Sequence, residues 1–342
     1  MYFSKIIGTG KALPTKSVSN DEFLKILNWD QIDSNWIKQR TGVENRFWVE
    51  NGQLGSDLAY DACRMALENS NLTSDAIEAI VYIQLTPEME FPSGAFVLQG
   101  RFDSNIPVFD LRAQCGGYIY GLQLADAFIK SGTYKTVMVV ASEVHSHFID
   151  KEYNNISKNV SILFGDGAGA TILTRDNEPG ILKIECKADG SKIDYLSCQK
   201  NYFRGQGESI KVDGSVRYQN GLDQIYPYPF MNGPEIFKNA TMRFEDLNKR
   251  LPEEVGLKWD QEIDYYLFHQ ANLRIIEFVG KNLNLPKEKV PTNVQRYGNL
   301  SGATLPILLH EQYEGNKFKK DDKIILSAFG AGLVWGGVVV KI

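Results

Sequence analysis

Residues 54–69 (LGSDLAYDACRMALEN) carry apolar side chains at intervals of three and four, the spacing that lines one face of a helix. The rhythm then changes. Residues 79–85 (AIVYIQL) and 107–111 (PVFDL) are short β-rich runs, and 135–142 (KTVMVVAS) is an almost wholly apolar strand of the kind covered on both faces. Between the last two lies a Gly-rich turn at Cys115, followed by a helical stretch that reaches Ile129. The second half repeats the alternation. Residues 265–269 (YYLFH) and 323–327 (KIILS) read as strands, and 271–283 and 304–313 as helices.

Short buried strands alternating with helices predict an α/β architecture with mostly parallel pairing. The repeat divides the chain into two halves, 1–175 and 176–342. An internal echo points the same way: ILFGDGAGATIL at 162–173 and ILSAFGAGLVWGGVVV at 325–340 each place a Gly-Ala-Gly turn between two apolar runs. From 187 to 234 the pattern turns polar, Gly-rich and Tyr-rich, the composition of an ordered lid or of a surface insertion.

Composition narrows the partners. The 342 residues carry 43% hydrophobic and 23% charged side chains, ordinary for a folded protein, and a net charge of −5. That balance argues against a nucleic-acid backbone as the main ligand, since such sites need clustered positive charge. No apolar run is long enough to cross a bilayer, and the opening MYFSKIIGTGKALP reads as a strand and turn, so a cytoplasmic location is expected. The four cysteines, Cys63, Cys115, Cys186 and Cys198, lack the spacing of a zinc site or a dense disulfide framework. His145 and His147 form the only compact imidazole pair. With no third ligand nearby they read as surface or loop residues, and no metal is expected.

Cys115 sits between a strand and a helix in FDLRAQCGGYIYG. A helix N-terminus stabilises a thiolate through unpaired N–H groups and a partial positive charge, and the two glycines would let a substrate approach the backbone. The same position also suits a small buried hydrophobe. His269 closes an apolar strand in FHQAN, and Asn299 lies in the turn-rich YGNLSGAT. Both stand where functional groups are held, and both have structural readings as well: a hydrogen-bonded strand terminus and turn chemistry.

Taken together, and in this order along the chain, WIKQRTGVENR (36–46), QCGG (114–117), FGDGAGA (164–170), HQAN (269–272), GNLSGAT (298–304) and FGAGLVWGG (329–337) resemble ketoacyl-ACP synthase III enzymes. The resemblance implies a thiolase-like, five-layered α/β fold built from two duplicated halves. It implies a Cys-His-Asn triad of Cys115, His269 and Asn299: an acyl-CoA loads the thiol, and malonyl-ACP then loses carbon dioxide and attacks the thioester in the first condensation of fatty acid synthesis. It implies no metal or organic cofactor, an acyl carrier protein as partner, and a homodimer. Backbone N–H groups of Cys115 and Ala331 would form the oxyanion hole. Trp36 and Arg40 would hold the CoA adenine, and Phe237 and Asn272 would line the pantetheine tunnel. Lys238 and Arg274 would meet the carrier protein at its mouth, and Phe91 would cross the dimer interface into the partner's acyl pocket.

The match departs in three places. Arg112 and Gln114 replace small residues before the nucleophile, at what the resemblance makes the pocket floor. Ser157-Lys158-Asn159 stands where an Arg-Gly pair is common, and the 187–234 segment, expected near the tunnel mouth, is longer than is typical. These departures suggest, as alternatives, a synthase of specialised metabolites (quinolone, alkylresorcinol or polyene type) or an acyltransferase. A non-catalytic partner subunit would be expected to lack triad residues, all of which are present.

Overall fold

The computed structural model describes residues 2–148, 158–198 and 230–342. Its frame is two β-sheets. The first contains Phe3–Ala12, Gly167–Asp176, Thr136–Glu143, Ala79–Ile83 and Val108–Leu111, in that spatial order; the second contains Ile181–Ala188, Val334–Lys341, Lys323–Gly330 and Tyr265–Phe268. The senses also correspond: reading from the first-named strand of each sheet, two antiparallel pairings are followed by a parallel one. The duplication therefore shows in topology.

The expectation of mostly parallel pairing does not hold. Each sheet is mixed; in the second, the tight turn from Gly330 to Val334 returns the chain antiparallel beside the strand it has left. The sequence echo is also misplaced. Gly330-Ala331-Gly332 enters a turn between strands, whereas Gly167, Ala168 and Gly169 lie inside the strand Gly167–Asp176.

Layering follows from strand alternation. Successive side chains point to opposite faces, so Val81, Val137, Val139 and Leu173 join one buried cluster while Ile80, Tyr82, Met138 and Ile172 join another. The first cluster also holds Leu267, Leu326 and Val338 of the second sheet, together with Ile119 and Leu122 of the helix Gly117–Ser131 and Leu305 and Leu308 of the helix Thr304–Glu314. These two helices are sandwiched between the sheets, with Thr304–Glu314 buried continuously from Thr304 to His310. Outside the first sheet the helix Gly55–Ser70 buries Leu58, Ala62, Ala66 and Leu67. Outside the second, Gly233–Glu253 and Leu273–Asn282 bury Phe244, Leu247, Ile276 and Val279. The order helix, sheet, helix, sheet, helix gives five layers.

Candidate active site

Three connections converge where the sheets meet the middle layer. Cys115 lies in the turn Gln114–Gly116 that opens the helix Gly117–Ser131. His269 follows directly on the strand Tyr265–Phe268, its N–H donating to the Ser327 carbonyl at 2.8 Å. Asn299 is fixed by donation from its N–H to the Leu163 carbonyl at 2.8 Å, which staples the GNLSGAT turn to the FGDGAGA segment. All three line one cavity of about 850 Å³, together with Arg40, Phe237, Asn272 and Arg274.

The hydrogen bonds around the triad are specific. Asn299 Oδ1 accepts from the Ser301 N–H at 2.8 Å, which leaves the amide nitrogen as the donor for the cavity. His269 Nδ1 lies 2.6 Å from the Thr304 hydroxyl, while Nε2 is buried with no partner among the described residues. If Thr304 donates to Nδ1, Nε2 carries the proton; the same hydroxyl also reaches the Ser301 carbonyl at 3.0 Å. Burial pushes the imidazole down to about 3, so His269 is neutral near pH 7.

Cys115 departs from expectation. Burial pushes its thiol up to about 11, a hydrogen bond with Ser301 opposes this, and the Glu143 carboxylate raises it further. Desolvation is the largest influence, and Cys115 rests as a thiol. Its glycines serve packing. A Cβ on Gly117 would meet Ile83 Cγ2 at 2.4 Å, and one on Gly116 would meet Val334 Cγ2 at 3.0 Å.

Several expected positions lie off the cavity wall. Trp36 does not line it; its ring stacks with the Arg40 guanidinium at 3.9 Å, and Arg40 alone reaches the wall. Lys238 is exposed on the helix Gly233–Glu253. Asn272 lines the cavity but is also committed to capping, with Oδ1 on the Arg274 N–H and Nδ2 on the Arg40 carbonyl. Ala331 is in the turn beside Gly330, which lies against Cys115, and Phe91 is 87% exposed. Arg112 is not on the cavity floor: it is exposed and donates to the Leu85 carbonyl, and Gln114 is likewise absent from the lining.

His145 was expected at the surface and is buried. Its ring stacks on Phe164, a cavity-wall residue, at 4.4 Å, and its Nδ1 pairs with the Gly165 carbonyl. His147 is exposed, and no cluster of metal-ligating side chains occurs among the described residues. Asn159 lines the cavity and Lys158 lies over Trp29; Ser157 is outside the described residues. Of the 187–234 segment, residues 199–229 lie outside the description, while Leu196, Phe230 and Met231 at its two ends pair as strands and line the cavity.

Sequence reading did not single out Ser301, Thr304 or Glu143. The first two fall within the GNLSGAT motif, so a signal was present in their neighbours. Glu143 ends the strand Thr136–Glu143, where its carboxylate accepts from Leu85, Thr86 and Gly302 N–H groups and from the Thr86 hydroxyl. Burial still pushes it up to about 7. Nothing in the pattern ASEVHS announces such a cradle.

Residues 109–190 match the model of the 3-oxoacyl-[acyl-carrier-protein] synthase III family and 253–342 match the model of its C-terminal part. The chain is 36% identical over 340 residues to the β-ketoacyl-[acyl-carrier-protein] synthase III of Xanthomonas campestris pv. campestris, covering 99% of this chain and 98% of that protein. The 3-oxoacyl-[acyl-carrier-protein] synthase III of Aquifex aeolicus superposes with a TM-score of 0.85 at 35% identity, over 99% of this chain and 100% of that one. The priming β-ketosynthase of the R1128 polyketide pathway superposes with a TM-score of 0.87 at 26% identity, over 99% and 96%. No helix among the described residues is long and apolar enough to cross a membrane. With its five-layered fold and full-length likeness to these enzymes, the chain belongs to the 3-oxoacyl-[acyl-carrier-protein] synthase III family.

Proposed function

We propose that the chain is a condensing enzyme that joins an acyl group from acyl-CoA to the two-carbon unit of malonyl-ACP, the initiating condensation of fatty acid synthesis. The observation that carries the assignment is the convergence of Cys115, His269 and Asn299 on one cavity. In the first half-reaction the Cys115 sulfur attacks the acyl-CoA carbonyl, its S–H proton passes to the departing CoA sulfur, and a thioester remains on Cys115. Backbone N–H groups of Cys115 and Ala331 face the oxyanion; the close fit of Gly330 on Cys115 supports this placement.

In the second half-reaction the malonyl C–C bond breaks and carbon dioxide leaves with the carboxylate oxygens. The electron pair becomes an enolate whose oxygen is met by Asn299 Nδ2 and by His269 Nε2–H. The carbanion carbon then bonds to the acyl carbonyl, expelling the Cys115 thiolate, which takes up a proton from solvent. A thiol, a neutral imidazole and an amide supply this chemistry, and no step calls for a metal or an organic cofactor. Trp36 and Arg40 are assigned to the adenine, Phe237 and Asn272 to pantetheine, and the exposed Lys238 and Arg274 to the acidic carrier protein. Phe91, with Met89 at 40% and Phe96 at 56% exposure, marks an apolar surface assigned to a homodimer. The cytoplasm suits these substrates.

Of the features that suggested a synthase of specialised metabolites, neither Arg112 nor Gln114 lines the cavity, and the longer 187–234 segment falls mostly outside the described residues. Mass spectrometry after mixing with a panel of acyl-CoAs tests the assignment. An adduct of acyl mass is expected on the parent and absent in Cys115→Ala; a parent that takes no acyl chain from the panel would overturn it. Preference for acetyl-CoA fits initiation, whereas preference for long or aromatic chains favours the specialised alternative.

A further inference from the structure

Ser301 touches Cys115 and Asn299 directly and reaches His269 through Thr304, each through a different group. Its hydroxyl lies 3.5 Å from Cys115 Sγ, its N–H holds Asn299 Oδ1 at 2.8 Å, and its carbonyl lies 3.0 Å from the Thr304 hydroxyl, which contacts His269 Nδ1. It is fully buried and held at φ +47° in the turn Ser301–Ala303. A non-glycine residue in that region costs free energy that the surroundings must offset. Here the turn gains the alignment of three polar groups on one residue.

Burial and Glu143 oppose ionisation of Cys115, while the Ser301 contact and a backbone hydrogen bond favour it. The sulfur is buried; Glu143, at the end of the strand Thr136–Glu143, acts on it, and His269, which rests neutral, lines the same cavity. Neither offers positive charge. The Ser301 hydroxyl lies 3.5 Å from the sulfur, in a pairing where either atom can donate.

We infer that Ser301 is a positioning residue for the nucleophile: its hydroxyl donates to Cys115 Sγ as the thiolate forms, while its backbone independently orients Asn299 and, through Thr304, His269. The inference rests on the acylation mechanism proposed above. It predicts an asymmetric defect. Removing only the hydroxyl weakens steps that need the thiolate more than the decarboxylation, which uses Asn299 and His269 and keeps its backbone supports.

The test compares Ser301→Ala and Ser301→Gly with the parent. Glycine adopts φ +47° without strain, so Ser301→Gly secures a folded variant even where Ser301→Ala is compromised. Iodoacetamide capture of Cys115 is followed from pH 6 to 9 by peptide mass spectrometry, which separates it from the exposed Cys198. Malonyl-thioester decarboxylation is measured on the same samples. A hydrogen bond to a charged group corresponds to roughly a tenfold or greater change in ionisation, part of which is returned as higher nucleophilicity of the more basic thiolate. The expected result is capture slowed about three- to tenfold across the pH range, with a smaller loss of decarboxylation. Equal capture rates in parent and Ser301→Gly, or a decarboxylation loss as large as the capture loss, would overturn the inference. Because iodoacetamide needs no acyl-CoA, failure here is distinct from failure of the acyl panel.

Discussion

His145 illustrates how burial, rather than a neighbouring charge, sets the protonation of an imidazole in this chain. Its Nδ1 faces the Gly165 carbonyl, its ring lies on Phe164, and desolvation pushes it down to about 4. An ordinary imidazole in the unfolded chain takes its proton near pH 6.5. The unfolded state therefore binds more protons between about pH 6.5 and 4, and the stability present above that window is lost as pH falls through it. His269, pushed down to about 3, adds to the same slope. Glu143, pushed up to about 7, acts with the opposite sign, since its contribution is lost as pH rises. Replacing His145 by Gln removes one of these groups and leaves the other two in both proteins. Urea unfolding at pH 7, 6 and 5 should show a shallower fall in stability for His145→Gln, by up to about 1.4 kcal/mol per pH unit. An unchanged slope would mean that His145 takes its proton in the folded chain as readily as in the unfolded one.

Elements were legible in the sequence where their periodicity is unambiguous. The apolar run 135–142 becomes Thr136–Glu143, buried at every position, and 54–69 becomes Gly55–Ser70. Strand direction was not legible, because a run covered on both faces reads the same in a parallel or antiparallel pair. The triad was legible only in combination: Cys115, His269 and Asn299 each have a structural reading alone, and only the ordered set of motifs joined them. Ser301 and Glu143 escaped because their roles come from backbone geometry and burial. The turn after Lys323–Gly330 shows how an element reaches into the site. A Cβ on Gly330 would lie 2.9 Å from both Cys115 Cβ and Cys115 N. Gly330→Ala must push the strand end away from the nucleophile, costing about 1–3 kcal/mol by overpacking, with strong loss of adduct formation. Gly100, exposed in the helix Gly94–Arg101 with no atom within 4 Å of its missing Cβ, is the contrast. Gly100→Ala should be stabilising by up to about 1 kcal/mol. Chemical denaturation of the two variants reads the difference, and equal stability would show that the 330 turn yields freely.

At the scale of the whole molecule, the cavity lies where two topologically similar halves meet, with Cys115 drawn from the first and His269 and Asn299 from the second. Each half is covered on its outer side by helices, and the cluster between the sheets draws side chains from both halves. The single chain nevertheless leaves Phe91 at 87% exposure beside Met89 and Phe96. An exposed Phe of that degree forfeits much of the roughly 1.5–3 kcal/mol that burying such a side chain yields. In the proposed homodimer this patch is covered by a second copy, and a C2 arrangement presents the same patch from both subunits. Phe91→Asp places a carboxylate where the partner's surface would need to be dry, a substitution a monomer would tolerate without effect. Sedimentation of the parent should give a dimer at micromolar concentration, with Phe91→Asp shifted toward the monomer and slower to form the Cys115 adduct. A parent that sediments as a monomer, or a Phe91→Asp variant with the parent's assembly and acylation rate, would remove Phe91 from the interface and leave its exposure to be met by another partner.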